Sequence, residues 1–122
     1  MGYRSEVAML ITLPENVSAR KIINRFKKIW GDYNFEEDFE VDTTSVEGCV
    51  YLAISDIKWY EGKQFGFKEV NGVMELVRNW EDYYRTGGVH YIRIGENYDD
   101  VEEIISGEVN EYLGLRRSIE LP

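Results

Sequence analysis

Cysteine and histidine occur once each in the 122 residues, as Cys49 and His90, and proline only twice. A lone cysteine excludes an internal disulfide and points mildly to a reducing compartment. One cysteine and one histidine also leave a structural zinc site two ligands short, without the paired spacings such sites show. No apolar run approaches the roughly 20 residues of a membrane-spanning helix; among the longest is Val7-Ala8-Met9-Leu10-Ile11. The N-terminus lacks a basic segment leading into an apolar stretch with a small-residue cleavage site, and no lipidation motif is visible. These absences predict a cytoplasmic protein. No proline- or glycine-rich linker divides the chain, no repeat is evident, and the length suits one domain spanning 1–122.

Basic residues are also short in supply. Acids number 23 against 14 Lys and Arg, for a formal charge of −9. Seven acids and no base fall in residues 32–47 (Asp32, Glu36, Glu37, Asp38, Glu40, Asp42, Glu47), and seven more in residues 96–111 (Glu96, Asp99, Asp100, Glu102, Glu103, Glu108, Glu111). Those segments sum to −14, so the remainder is +5. Such concentrated charge repels nucleic acid and attracts basic surfaces, including those that hold nucleic acid. The hydrophobic share of 43%, rich in Tyr, Phe and Trp, is ample for a packed core.

The periodicities predict an α+β domain. Val7, Met9, Ile11 and Leu13 alternate with Ala8, Leu10 and Thr12, as in a central strand apolar on both faces. Ile22, Ile23, Phe26, Ile29 and Trp30 share one helical face, with Ser18 or Asn16 as N-cap and Gly31 as C-cap. Residues 32–48 read as a loop entering a strand at about Phe39–Val46. Glu47-Gly48 then turns into a strand over Cys49–Lys58. A second helix fits 69–84, with Val70, Val73, Met74, Val77, Trp80 and Tyr84 as its apolar stripe. Val89–Ile94 is a strand, Asp99–Ile105 a short helix, and Leu115–Leu121 an edge strand. The order β-α-β-β-α-β-β suits an antiparallel sheet with two helices on one face, a ferredoxin-like arrangement plus one strand.

Catalytic signatures are weak. Cys49 and His90 form a nucleophile pair only if the fold joins them and an acid orients the imidazole; a small core cysteine and a packed histidine are the plainer expectation. The oxygen-rich Glu96–Glu103 fails as an EF-hand, because Glu102 stands sixth from Asn97 where glycine is needed. Gly87-Gly88 and Gly62-x-x-x-Gly66 lack the context of a phosphate-binding loop. The glycine–aromatic signature of the RNA-recognition module is absent, although Tyr51 and Tyr91 suit exposed strand faces, and the basic stripe Arg20, Lys21, Arg25 and Lys28 reads as a solvated helix face. No cofactor is indicated.

Three segments resemble a group of small phage and prophage proteins: Gly2-Tyr3-Arg4-Ser5-Glu6-Val7, Ile57-Lys58-Trp59-Tyr60, and Ile92-Arg93-Ile94-Gly95-Glu96-Asn97-Tyr98-Asp99-Asp100-Val101-Glu102, with Arg117-Ser118-Ile119 similar as well. The resemblance implies no activity and no catalytic residue. It implies a setting: phage accessory proteins, among which inhibitors of bacterial defence such as anti-CRISPR proteins are frequent.

Charge and setting together predict a non-enzymatic inhibitor of a host defence nuclease complex that occupies a basic, nucleic-acid-binding surface of a host protein. Glu36, Glu37, Asp38, Glu40 and Asp42 would imitate one phosphate run, with Glu96, Asp99, Asp100, Glu102 and Glu103 another. Trp59, Tyr60 and Tyr98 would be exposed anchors. A small-ligand or nucleotide-signal binder using Arg4, Arg93, Arg116 or Arg117, and a weak divalent-metal-dependent hydrolase, are the alternatives. Oligomeric state is left open.

Overall fold

A computed structural model describes residues 3–31, 35–62, 66–97, 99–115 and 119–122. The sheet is built from β1 (Ser5–Thr12), β2 (Glu40–Asp42), β3 (Cys49–Ile57), β4 (Gly88–Gly95) and β5 (Val101–Gly107). It is wholly antiparallel in the order β2-β3-β1-β4-β5. β1 sits at the centre because both its faces are apolar: Val7, Met9 and Ile11 on one, Ala8 and Leu10 on the other, all buried.

Helices α1 (Ala19–Trp30), α2 (Phe35–Asp38), α3 (Lys68–Arg78) and α4 (Trp80–Tyr83) contribute to the core on the first of these faces. Ser18 caps α1 by accepting from Lys21 N–H, and Gly31 closes it at φ 119 with its N–H on Lys27 O. Ile22 and Phe26 of α1 meet Val70, Val73, Met74 and Val77 of α3 over Val7, Met9, Leu52 and Tyr91. Gly72 lets the two helices approach: a Cβ there would stand 2.6 Å from Ile29 Cγ2.

A second, smaller cluster covers the opposite face. Leu113 and Ile119, from the segment after β5, pack on Ala8, Leu10, Cys49 and Ile92. This segment forms its own two-stranded ribbon, β6 (Gly114–Leu115) with β7 (Ile119–Glu120). His90 anchors it by accepting Leu113 N–H at Nδ1 (2.8 Å).

Four expectations are corrected. The acidic stretch expected as a helix over Asp99–Ile105 is strand β5, because Glu102 and Ile104 pair across to Arg93 and Tyr91 on the helix-covered face. The expected strand over Phe39–Val46 shrinks to three residues, since Phe35 nucleates a helical turn and Asp42 closes a turn on Thr44 and Ser45. The helix expected over 69–84 is broken at Asn79, whose side-chain amide donates to Glu75 O at 3.0 Å. Of the expected last strand, Leu115–Leu121, Leu115 belongs to β6 and Ile119–Glu120 form β7, which pair with each other rather than with the main sheet, and residues 116–118 lie outside the described residues. No helix among the described residues is long and apolar enough to cross a membrane.

Candidate functional site

The two acidic segments lie at opposite edges of the sheet, around β2 and β5. Four interstrand spacings of about 4.8 Å separate these strands by about 19 Å, so they do not form one acidic wall. Their carboxylates also differ in how far they are already neutralised.

On the β5 side most are engaged. Asp100 receives two hydrogen bonds from Arg93, at 3.1 and 2.8 Å, and one from the Tyr3 phenol at 2.6 Å. These donors hold its carboxyl below the usual range, Arg93 foremost. Tyr3 is pushed up in turn, chiefly by its bond to Asp100. Glu102 lies between Arg78 (3.2 Å) and Arg93 (3.5 Å), and Arg78 also grips Glu61 with two bonds. Glu103 meets His90 Nε2 at 2.5 Å, and Glu96 accepts from Arg4 N–H. Asp99 has no side-chain partner among the described residues.

These groups frame a cleft of about 540 Å³ at the end of the sheet, lined by Tyr3, Trp59, Tyr60, Glu61, Arg93, Asp100 and Glu102. Local structure explains the convergence. A β-bulge in β3, with Asp56 at φ 53, precedes the turn of the chain into Lys58–Glu61. Gly95 leaves room for the Tyr3–Asp100 pair, since a Cβ there would overlap both side chains.

Trp59 is corrected from exposed anchor to buried wall. It is 6% exposed and stacks on Trp30 with ring centroids 5.8 Å apart, because two large indoles bury more apolar area together than either does at a loop. Its Nε1–H nevertheless has no hydrogen-bond partner. Tyr60 is half-buried, accepts from Tyr3 N–H and stacks on Phe67. Tyr98, Arg116 and Arg117 lie outside the described residues. Arg4 lines a neighbouring hollow of about 490 Å³ with Lys58, Trp30 and Phe67.

On the β2 side Glu36 pairs with Lys27 at 2.6 Å, and Asp38 accepts from Trp30 Nε1 at 2.8 Å. Glu37 is exposed. Glu40 and Asp42 oppose Ala53 and Tyr51 of β3, so both project toward the face opposite the helices. Glu6 of β1 lies on the same face, and its charge is felt at the Tyr51 hydroxyl. Burial raises the Tyr51 hydroxyl first, then the charges of Glu40, Glu6 and Asp42 raise it further. Asp42 is held at about 2 by Ser45 and Thr44, so it stays anionic. None of the ion pairs among the described residues involves Glu6, Glu40 or Asp42.

Sequence reasoning missed Glu6, Tyr51, Glu61 and Arg78 as site members. No local signal marked the cleft, because Glu102 and Glu103 break the apolar alternation of Val101–Gly107, and none places the charge of Glu6 near the Tyr51 hydroxyl. Cys49 and His90 share the ribbon-covered face, where Cys49 is buried and His90 is bound to Leu113 and Glu103. No group of three or more His, Cys, Asp or Glu able to hold a metal occurs among the described residues. No protein family, curated protein or solved structure matches the chain.

Proposed function

We propose that the chain is a non-enzymatic binding protein of the phage anti-defence kind, acting in the host cytoplasm on a host protein with a basic, nucleic-acid-binding surface. The carrying observation is an acidic corner on the face opposite the helices, where the charges of Glu40, Glu6 and Asp42 all reach the Tyr51 hydroxyl and none of the three is in an ion pair among the described residues. Carboxylates without a partner cation, grouped on one face, suit an incoming Lys or Arg, which gains ion pairing there. The contact surface is thus narrower than charge composition alone suggests: the corner carries the recognition, and the engaged carboxylates near Arg93 add only a long-range field. For the scaffold we read the first four strands as a ferredoxin-like split βαβ unit, with β5 added at one edge.

The test is capture of bacterial lysate proteins on the immobilised chain at low and high salt, beside the Glu6→Gln/Glu40→Gln/Asp42→Asn variant. A nucleic-acid-binding protein should be retained at low salt, released at high salt and lost by the variant. Retention of the same proteins by the variant removes the corner from the mechanism.

A further inference from the structure

We infer that the outer edge of β5 is a docking strand for a partner protein, whose occupant is an extended segment bearing Lys or Arg, added antiparallel to the sheet. The surface lies at the opposite edge from the acidic corner and does not rest on it.

The pointer is a row of backbone groups without partners. β5 is the last strand in the sheet order. Just beyond its two ends the ladder with β4 is pinned by Gly95 N–H on Asp100 O at 2.8 Å and Glu108 N–H on Gly87 O at 2.9 Å. Bonded and non-bonded pairs alternate along an antiparallel ladder. In this register Glu102, Ile104 and Ser106 bond β4, while Glu103 and Ile105 turn their N–H and C=O groups outward. Neither of these two makes another backbone hydrogen bond among the described residues. The chain beyond β5 does not cover them. It runs back toward β1 and β4, with Asn110 N–H on Thr12 Oγ1 and Leu113 N–H on His90. An unpaired edge is a template for another strand, and proteins often blunt it with lysine or proline. β5 contains neither.

Side chains on the two sides of this edge define the occupant. On the ribbon-covered face Val101 and Ile105 are 43% and 52% exposed and flank Glu103. Exposed Tyr112 extends the apolar area, packed edge-on against His90, the β4 neighbour of Ile105. These side chains match apolar residues at alternate positions of an incoming strand. On the helix side a hollow of about 360 Å³ adjoins the end of β5, lined in part by Glu81, Asp82, Ser106 and Gly107. Glu81 and Asp82 are exposed, and neither is in an ion pair among the described residues. A cationic side chain beside Ser106 or Gly107 complements them. A second copy of the chain, itself at −9, would bring an acidic strand instead and is the poorer match.

Amide exchange reads the edge directly. The full chain, labelled with nitrogen-15, is titrated with the peptide acetyl-Lys-Lys-Ile-Thr-Thr-Thr-Val-amide. Paired antiparallel, it sets its Ile beside Ile105, its Val beside Val101 and its lysines near Glu81 and Asp82. Binding should saturate with a Kd of about 1 mM or tighter. Exchange at Glu103 and Ile105 should slow about tenfold, while Ile104, already bonded to β4, changes little. N-Methylation of the peptide's Ile removes the donor to Ile105 C=O and should weaken binding about tenfold, as should Glu in place of both lysines. Glu81→Gln/Asp82→Asn, at exposed positions, should weaken the lysine peptide and flatten its salt dependence. Failure to saturate overturns the inference. Binding that leaves Glu103 and Ile105 exchanging as before is held elsewhere on the acidic surface, and overturns it too. So does equal binding of the N-methylated peptide. Protection of Glu103 and Ile105 that grows with chain concentration, without peptide, assigns the edge to a second copy and overturns it equally.

Discussion

His90, 1% exposed, accepts the backbone N–H of Leu113 at Nδ1 while its Nε2 faces Glu103, so one side chain ties the terminal segment to β4 and β5 together. That arrangement fixes the tautomer: Nδ1 carries no proton and Nε2 donates to the carboxylate. His90→Phe leaves the Leu113 N–H buried without an acceptor, and should cost about 1–3 kcal/mol by chemical denaturation. Amide exchange should quicken at Leu113 well before it quickens in β1. Uniform loss of protection across the sheet would show that the segment has no separate stability of its own.

Acid should weaken the fold in part through Asp42 and Asp100. Both carboxyls are depressed in the folded state, Asp42 to about 2 by Ser45 and Thr44, Asp100 by Arg93 and Tyr3. A depressed carboxyl contributes stability above its unfolded value of about 3.9, and that contribution is lost as pH falls through the folded value. Denaturation midpoints measured from pH 5 down to 2 should therefore fall less steeply for Asp42→Asn than for the parent chain. Parallel curves would remove Asp42 as a contributor.

Gly95→Ala should dismantle the end-of-sheet cluster. The added methyl overlaps Asp100 Oδ2 and Tyr3 Oη, so one or both must leave, and the hold on Arg93 goes with them. We expect a loss of about 1–3 kcal/mol. Its signature is separability: the Tyr51 corner, on other strands, should keep its salt-dependent binding. A variant as stable as the parent would mean that the Tyr3–Asp100 pair shifts freely.

Helix propensity and packing oppose each other at Gly72. Alanine favours a helix interior by about 1 kcal/mol over glycine, yet its Cβ would press on Ile29 Cγ2 at 2.6 Å. Packing wins, and Gly72→Ala should destabilise by about 1–3 kcal/mol. Ile29→Ala alone also costs stability, but the double variant should be more stable than the two single losses add to. Simple additivity would contradict the close approach of α1 and α3.

Elements carrying a single strong period were legible in the sequence. Ile22 and Phe26 on α1, Val70, Val73 and Val77 on α3, and Val7, Met9 and Ile11 on β1 all face inward as their spacing requires. β5 was hidden by its charge, because Glu102 and Glu103 interrupt the alternation of Val101, Ile105 and Ile104 that marks a strand. Its role emerges only from partners on β4. Trp59 misled for a related reason: polar neighbours suggest exposure, whereas its stacking partner Trp30 is 29 positions away. The acids of residues 96–103 read as free charge, and their guanidinium partners, Arg78 on α3 and Arg93 on β4, reach them only through the fold. Leu113 and Ile119 follow no period that announces a covering ribbon.

Burial of Cys49 beneath that ribbon has a practical corollary. Its thiol is pushed up by desolvation and lies 3% exposed, so a thiol-reactive dye has no access to it in the closed chain. Any labelling of native protein counts the moments when Leu113 and Ile119 lift away. With no other cysteine in the sequence, the chain carries a single-site clock for the breathing of its own C-terminus.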